Sequence, residues 1–182
     1  GLKIRCMGDA GEMLSRMGAT VIFLPGGEVY QAMETGVLDA FEFAPPAVNW
    51  SMGFQEITKY VYFSETRAPI ETCTFVVNND AWEKLPADLK QLVEDELYAW
   101  TTRASIALMV ESIEATGNFR DYGCIVGHIP DDVDQALFKE AQKFYGEKAS
   151  KEAPIYSEIL ESQRAFMKSY AEYNTLNASH AK

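Results

Sequence analysis

The sequence predicts an α/β fold, and three observations carry that expectation. Short β-rich runs separated by glycine and proline turns recur from Gly1 to Asn78, and helical periodicity takes over after Asp80. The third is composition: 182 residues with 47% hydrophobic and 24% charged content can bury one good core, or one core and a smaller helical layer.

Leu2 to Arg5 alternates apolar and polar residues as a strand does, and Gly8 to Gly11 reads as a break before a helix from about Glu12 to Met17. Val21 to Leu24 is a second β-rich run. Pro25-Gly26-Gly27 then turns the chain into a helix with Val29, Ala32 and Met33 on one face, stopped at Gly36. Val37 to Phe43 has the apolar character of a buried parallel strand and runs into Pro45-Pro46, where the chain must change course. Trp50 to Ile57 is expected to be helical, and Tyr60 to Phe63 and Thr72 to Asn78 to be strands. The main boundary follows: 1–71 is expected to form a three-layer α/β lobe, and 72–182 a crossing strand and a mostly helical remainder.

Beyond Asp80, Pro86 suits a first helical turn. Leu89, Leu92, Val93, Leu97, Trp100, Ala104 and Leu108 then recur at three and four residues, predicting a long helix that stops at Gly117. Cys124 to Ile129 is a short strand, and a helix begins at Asp131 or Asp132 and runs to Gly146. Ile155, Ile159, Phe166, Tyr170 and Tyr173 make one stripe of a long C-terminal helix, and the polar tail from Asn174 is expected to fray.

Composition also excludes function classes. The net charge of −11 comes with scattered basic residues, so there is no footprint for a nucleic-acid backbone. His128 and His180 stand outside any metal-ligand or nucleophile–base pattern, and Gly8-Asp9-Ala10-Gly11 lacks the rest of a phosphate-loop fingerprint. Catalysis therefore has no specific support in these residues, and an enzyme of unrecognised type is the weakest reading. The beginning of the sequence has no apolar leader, so an exported protein would have lost it. Cys6, Cys73 and Cys124 have no zinc spacing; a Cys6–Cys73 disulfide is conceivable, and isolated buried thiols are the commoner outcome.

A family resemblance rests on a different set of residues. These are Leu2-Lys3-Ile4-Arg5, Arg16-Met17-Gly18-Ala19, the run from Leu24-Pro25-Gly26-Gly27-Glu28 to Met33, and Thr35-Gly36-Val37-Leu38-Asp39-Ala40 with Glu42. Gly53-Phe54, Lys59-Tyr60, Phe75-Val76-Val77-Asn78 with Trp82, and Leu85-Pro86-Ala87-Asp88-Leu89 continue it. In order and spacing they resemble the DctP-like substrate-binding proteins of tripartite ATP-independent periplasmic (TRAP) transporters, specifically their C-terminal portion. The Gly-Gly-Glu form and the place of Glu42 resemble the subgroup that binds 2-oxo acids and hydroxy acids.

The resemblance implies a periplasmic-binding-protein type II-like fold, here a C-terminal lobe of βαβ units with long packing helices. It implies capture of a small organic acid in the periplasm and its delivery to the transporter's membrane subunits; a sensory domain built on the same fold is the alternative. Arg5 would grip the ligand carboxylate with two parallel donors. Glu42 and the backbone carbonyl of Phe43 would help hold a sodium or calcium ion against the ligand, with no organic cofactor. By residue chemistry alone, Glu42 also suits a salt bridge to Arg5 or Arg67, and Arg5 a surface position. Tyr30, Trp50 and Phe54 suit either a cleft lining or plain core.

The sequence departs from the subgroup in having Phe43 in place of tryptophan, and Ala68 before Pro69 where a metal-reaching side chain is expected. Family members are longer, and what precedes Gly1 in them forms most of the first lobe and half of the cleft. Poor ligand affinity in this 182-residue form is the expected result, together with a two-fold homodimer through the exposed cleft face or the C-terminal helix.

Overall fold

Three short parallel strands organise the first part of the chain, in the order β2-β1-β3: β1 (Lys3–Arg5), β2 (Thr20–Ile22) and β3 (Ala40–Phe41). The structure is a computed structural model and describes residues 1–67 and 74–178. β1 is central, with Arg5 opposite Ile22 on one side and Phe41 on the other. A parallel neighbour requires a crossover, and helices α1 (Gly8–Arg16) and α2 (Val29–Glu34) supply the two crossovers. The predicted βαβ character is therefore present.

Glycine acts differently from the expectation near the start. α1 begins at Gly8 and includes the stretch read as a break. Gly11 is buried in the helix, and a Cβ there would stand 3.1 Å from a Val21 methyl and 3.4 Å from the Cys6 carbonyl oxygen. Its role is close approach of helix to sheet. Val29, at 0% exposure, seats α2 in the same core as Cys6, Met13, Leu38 and Phe54. β3 is shorter than the Val37 to Phe43 run, although the amides of Asp39 and Glu42 also donate to β1 carbonyls at 2.8 and 2.9 Å.

The predicted Trp50 to Ile57 helix divides into α3 (Pro46–Ser51) and a 3-10 turn (Phe54–Glu56), separated by Gly53 at φ 76°. That left-handed conformation is open to glycine and interrupts the helix. β4 (Tyr60–Phe63) pairs in parallel with β5 (Ile125–His128) as a second, two-stranded sheet. The Thr72 to Asn78 strand is corrected where it can be seen. Residues 74–78 are irregular, with Phe75 and Val76 exposed and no strand pairing with them among the described residues. β-propensity without a partner edge does not make a strand. Thr72, like Cys73, Ala68 and Pro69, lies outside the described residues.

α4 (Asn79–Glu83) is capped by the Asn78 side chain, which accepts from the Ala81 amide at 3.1 Å. α5 (Ala87–Tyr122) runs straight through Gly117, where an interior glycine costs only about 1 kcal/mol. It stops at Gly123, φ 108°, with the Cys124 amide returning to the Phe119 carbonyl at 2.9 Å. α5 packs against α3 through Trp50, whose ring meets Phe119 edge-on at 5.2 Å. Phe119 is buried, whereas Leu89, Leu92 and Trp100 of the predicted stripe are exposed.

The chain divides into two compact units, Gly1–Leu137 and Phe138–Lys182. The second holds most of α6 (Asp131–Ala149) and all of α7 (Pro154–Ala178). Within it the Ser157 hydroxyl donates to the Ala149 carbonyl at 3.0 Å, and Arg164 to Gln142 at 3.2 Å. α6 passes through Gly146, expected as its end, and α7 continues four residues beyond Asn174. Helix far outweighs strand, as predicted.

Candidate functional site

The carboxyl ends of the three parallel strands converge on one guanidinium. In open α/β sheets that edge is where ligands bind, because the loops leaving the strands are free to diverge there. Arg5 closes β1 and is only 5% exposed. Its Nε donates to the Leu24 carbonyl, just beyond β2, at 3.1 Å, and its Nη1 to the Glu42 carbonyl, just beyond β3, at 2.7 Å. Among the described residues its Nη2 meets only the Met7 thioether, at 2.9 Å, and the Phe43 ring lies 5.2 Å from the guanidinium carbon. Burying an arginine is costly unless its donors are matched. Two backbone carbonyls and an aromatic face meet part of that need, and a thioether is a weak acceptor. The Nη2 edge therefore has most to gain from a carboxylate.

Phe43 is held from two sides. It packs edge-on against Phe54 at 5.3 Å, and Phe54 packs on Phe41 at 4.6 Å. Gly26 faces the ring so closely that a Cβ would come within 2.8 Å of it. Gly26→Ala is expected to push the ring off Arg5 and cost about 1–3 kcal/mol through overpacking. A melt combined with an aromatic NMR spectrum checks this; an unshifted Phe43 ring at wild-type stability would refute it.

Glu42 turns its carboxylate to Arg67 and not to the Arg5 guanidinium. Arg67 Nη2 lies 3.0 Å from Glu42 Oε2, and the Cys6 thiol donates to the same oxygen at 3.3 Å. Burial first, and then the neighbouring Glu42 carboxylate, push the Cys6 thiol up from its ordinary value. Cys6 is a free thiol, and its conceivable partner Cys73 lies outside the described residues. The three predicted site residues thus come together, while the other aromatics separate: Phe54 is core, Trp50 belongs to the α3–α5 contact, and Tyr30 donates to Glu56 at 2.7 Å.

A cation can be tested against the donor set. Among the described residues, no group of three or more His, Cys, Asp or Glu side chains could hold a metal. Glu42 is half-shared with Arg67 and Cys6. One carboxylate and backbone carbonyls suit a hard cation such as sodium or calcium, provided that the ligand brings further oxygens. The described residues fit an ion that arrives with ligand.

Sequence reading had Arg67 only as a salt-bridge partner and missed its anchor. Ser64 donates to Asp134 Oδ1 at 2.5 Å, Thr66 donates its hydroxyl to Oδ2 at 3.0 Å, and the Arg67 amide donates to the Ser64 hydroxyl at 2.7 Å. No local spacing announces a clasp between residues so far apart in the chain. The Ser64 bond above all, with those from Thr66, holds the Asp134 carboxyl below its ordinary value despite some opposing desolvation. A lowered folded value means that the clasp's contribution is complete above the unfolded aspartate pKa of about 3.9 and is lost as pH falls through the folded one. The Ser64 and Thr66 amide resonances are therefore expected to stay fixed from neutral pH down to about pH 4 and move only below it. In Asp134→Asn they should already be displaced at neutral pH; unchanged positions there would refute the clasp.

Comparison with known proteins places the chain in a family. The profile of the bacterial extracellular solute-binding proteins, family 7 (DctP), matches residues 1–152. A monocarboxylate 2-oxoacid-binding periplasmic protein of Nostoc sp. is 28% identical over 181 residues, 97% of this chain and 48% of that protein. A TRAP periplasmic solute-binding protein from Pseudoalteromonas atlantica, with bound sodium and pyruvate, superposes with a TM-score of 0.75 at 27% identity, over 97% of this chain and 54% of that one. A TRAP solute-binding protein from Bordetella bronchiseptica, a mixed-occupancy dimer with calcium and picolinate, gives 0.74 at 22% identity, over 100% and 57%. The chain spans about half the length of these relatives and carries the α/β fold of periplasmic binding proteins, type II-like. With most of its length matched by one family profile, the chain belongs to the bacterial extracellular solute-binding proteins of family 7.

Proposed function

We propose that this chain supplies one wall of a periplasmic receptor that captures a small organic acid, a 2-oxo acid, hydroxy acid or dicarboxylate, for a TRAP transporter. The observation that carries the reading is the buried Arg5 guanidinium at the carboxyl ends of three strands, its Nη2 edge matched, among the described residues, only by a thioether. Arg5 grips the carboxylate, Phe43 covers the guanidinium, and 1–71 forms the ligand lobe. Binding, not catalysis, is the task, and the relatives' ligands, 2-oxoacids in Nostoc and pyruvate with sodium in Pseudoalteromonas, support the ligand class. A sodium or calcium ion held by Glu42 and the Phe43 carbonyl would neutralise ligand charge when bound. No helix of the described residues is long and apolar enough to cross a membrane. Delivery, in this reading, falls to the transporter's membrane subunits.

Titration calorimetry with pyruvate, lactate and C4-dicarboxylates, in sodium, calcium and chelator, tests the reading. Saturable binding of at least one acid, weak because one wall acts alone and strengthened by a cation, is the expected result. No binding into the millimolar range would overturn the receptor reading, and indifference to cation and chelator would remove the ion. The reading includes a homodimer through α7, whose Ile155, Ile159, Phe166, Tyr170 and Tyr173 are all exposed. Light scattering showing only monomer at high concentration would remove the dimer.

A further inference from the structure

Arg67 is over-determined for a surface ion pair. Its side chain is 28% exposed and its Nη2 meets Glu42, yet its Nε is buried with no acceptor among the described residues. Buried donors are nearly always paired, and leaving one unpaired is costly. The segment that presents it is fixed by the Asp134 clasp at Ser64 and Thr66, and the Arg67 amide is itself held by Ser64. A side chain placed so firmly, beside a carboxylate that orients it, with one donor unmatched, has the form of a preorganised contact awaiting an oxygen. Its location is equally specific. Arg67 binds the side chain of Glu42 while Arg5 binds the backbone carbonyl of the same residue. Two guanidinium groups therefore flank one residue at the strand ends.

We infer that Arg67 is a second ligand-contacting residue, whose Nε–H donates to an oxygen that the ligand carries in addition to the carboxylate gripped by Arg5. This rests on the organic-acid reading above and deepens it: the site selects acids bearing a second acceptor close to the carboxylate. A 2-oxo oxygen and a second carboxylate share that chemistry. Glu42 orients the guanidinium, and Asp134 is a positioning residue acting through the Ser64–Arg67 segment.

The test is discrimination, which a purely structural arginine would not change. Pyruvate, malonate and propionate are titrated into the wild-type chain and into Arg67→Gln and Arg5→Lys, with binding followed by NMR into the millimolar range. Wild type should prefer pyruvate or malonate to propionate by about tenfold or more, and Arg67→Gln should reduce the preference to within about threefold, propionate losing less affinity than the preferred acid. Loss of preference for pyruvate alone identifies the oxo oxygen as the acceptor, and for malonate alone the second carboxylate. A second measurement needs no substitution: the Arg67 Nε–H resonance of the wild type should move with the preferred acid and stay still with propionate. Discrimination retained in Arg67→Gln, or an Nε–H signal indifferent to every acid that binds, overturns the inference and leaves the receptor reading standing provided that Arg5→Lys still weakens all three acids. Failure of wild type to bind any of them overturns both.

Discussion

Phe54→Ala is expected to lower folding stability by about 3–5 kcal/mol, the range for emptying a fully packed aromatic position. The ring is 1% exposed and stands between Phe41 and Phe43, at centroid distances of 4.6 and 5.3 Å. Removing it costs the transfer energy of the ring, the edge-on aromatic contacts, and whatever cavity the neighbours cannot close. Against a total stability of about 5–15 kcal/mol for an ordinary domain, that is a large fraction. Loss of function should follow from the same change, because Phe43 would lose the surface that holds it over Arg5. Denaturant unfolding gives the size of the effect. A loss below about 1 kcal/mol would mean that the site relaxes freely and that Phe54 does not set the position of Phe43.

Phe54 also illustrates what could be read from the sequence. It was placed in a helix with Trp50, and its role was left between cleft and core. The answer depended on Gly53, whose left-handed φ ends α3 and turns Phe54 into the core as part of a separate 3-10 turn. Elements that local turn chemistry and apolar spacing specify were legible: β1 and β2 with α2, and also β4 and β5, although those two pair with each other from distant parts of the chain. Glycine misled wherever its reason was tertiary. Gly11 serves packing against Val21 and Gly117 sits in mid-helix, while Gly123 provides the stop that Gly117 was expected to give. The Thr72 to Asn78 run had the composition of a strand, but pairing is not encoded in composition, and 74–78 found no partner among the described residues. At the site, Arg5, Glu42 and Phe43 were nominated through family resemblance, and the structure brings the three together. Arg67 was legible only as a salt-bridge partner of Glu42, and its Asp134 clasp was missed because hydrogen bonds between residues so distant in the chain leave no local pattern.

Arg5→Ala should abolish organic-acid binding and also destabilise the fold, and the two effects need separating. The guanidinium satisfies the Leu24 and Glu42 carbonyls, so alanine strands two acceptors in a poorly hydrated corner. Each stranded acceptor costs about 1–3 kcal/mol unless water reaches it, so a visible fall in melting temperature is expected. A lost ligand in such a variant proves little by itself. Arg5→Lys supplies the control: an ammonium keeps the charge and can serve one carbonyl, so most of the stability should remain. It cannot present two parallel donors to a carboxylate, nor offer a flat face to Phe43, which lies 5.2 Å from the guanidinium carbon. Affinity in Arg5→Lys is therefore expected to fall by on the order of a hundredfold, the loss of charge-assisted hydrogen bonds, at near wild-type stability. Equal affinity of Arg5→Lys and wild type would show that positive charge alone is read at this position. The strand-end geometry that sets the Nη2 edge opposite a mere thioether would then have no part in recognition.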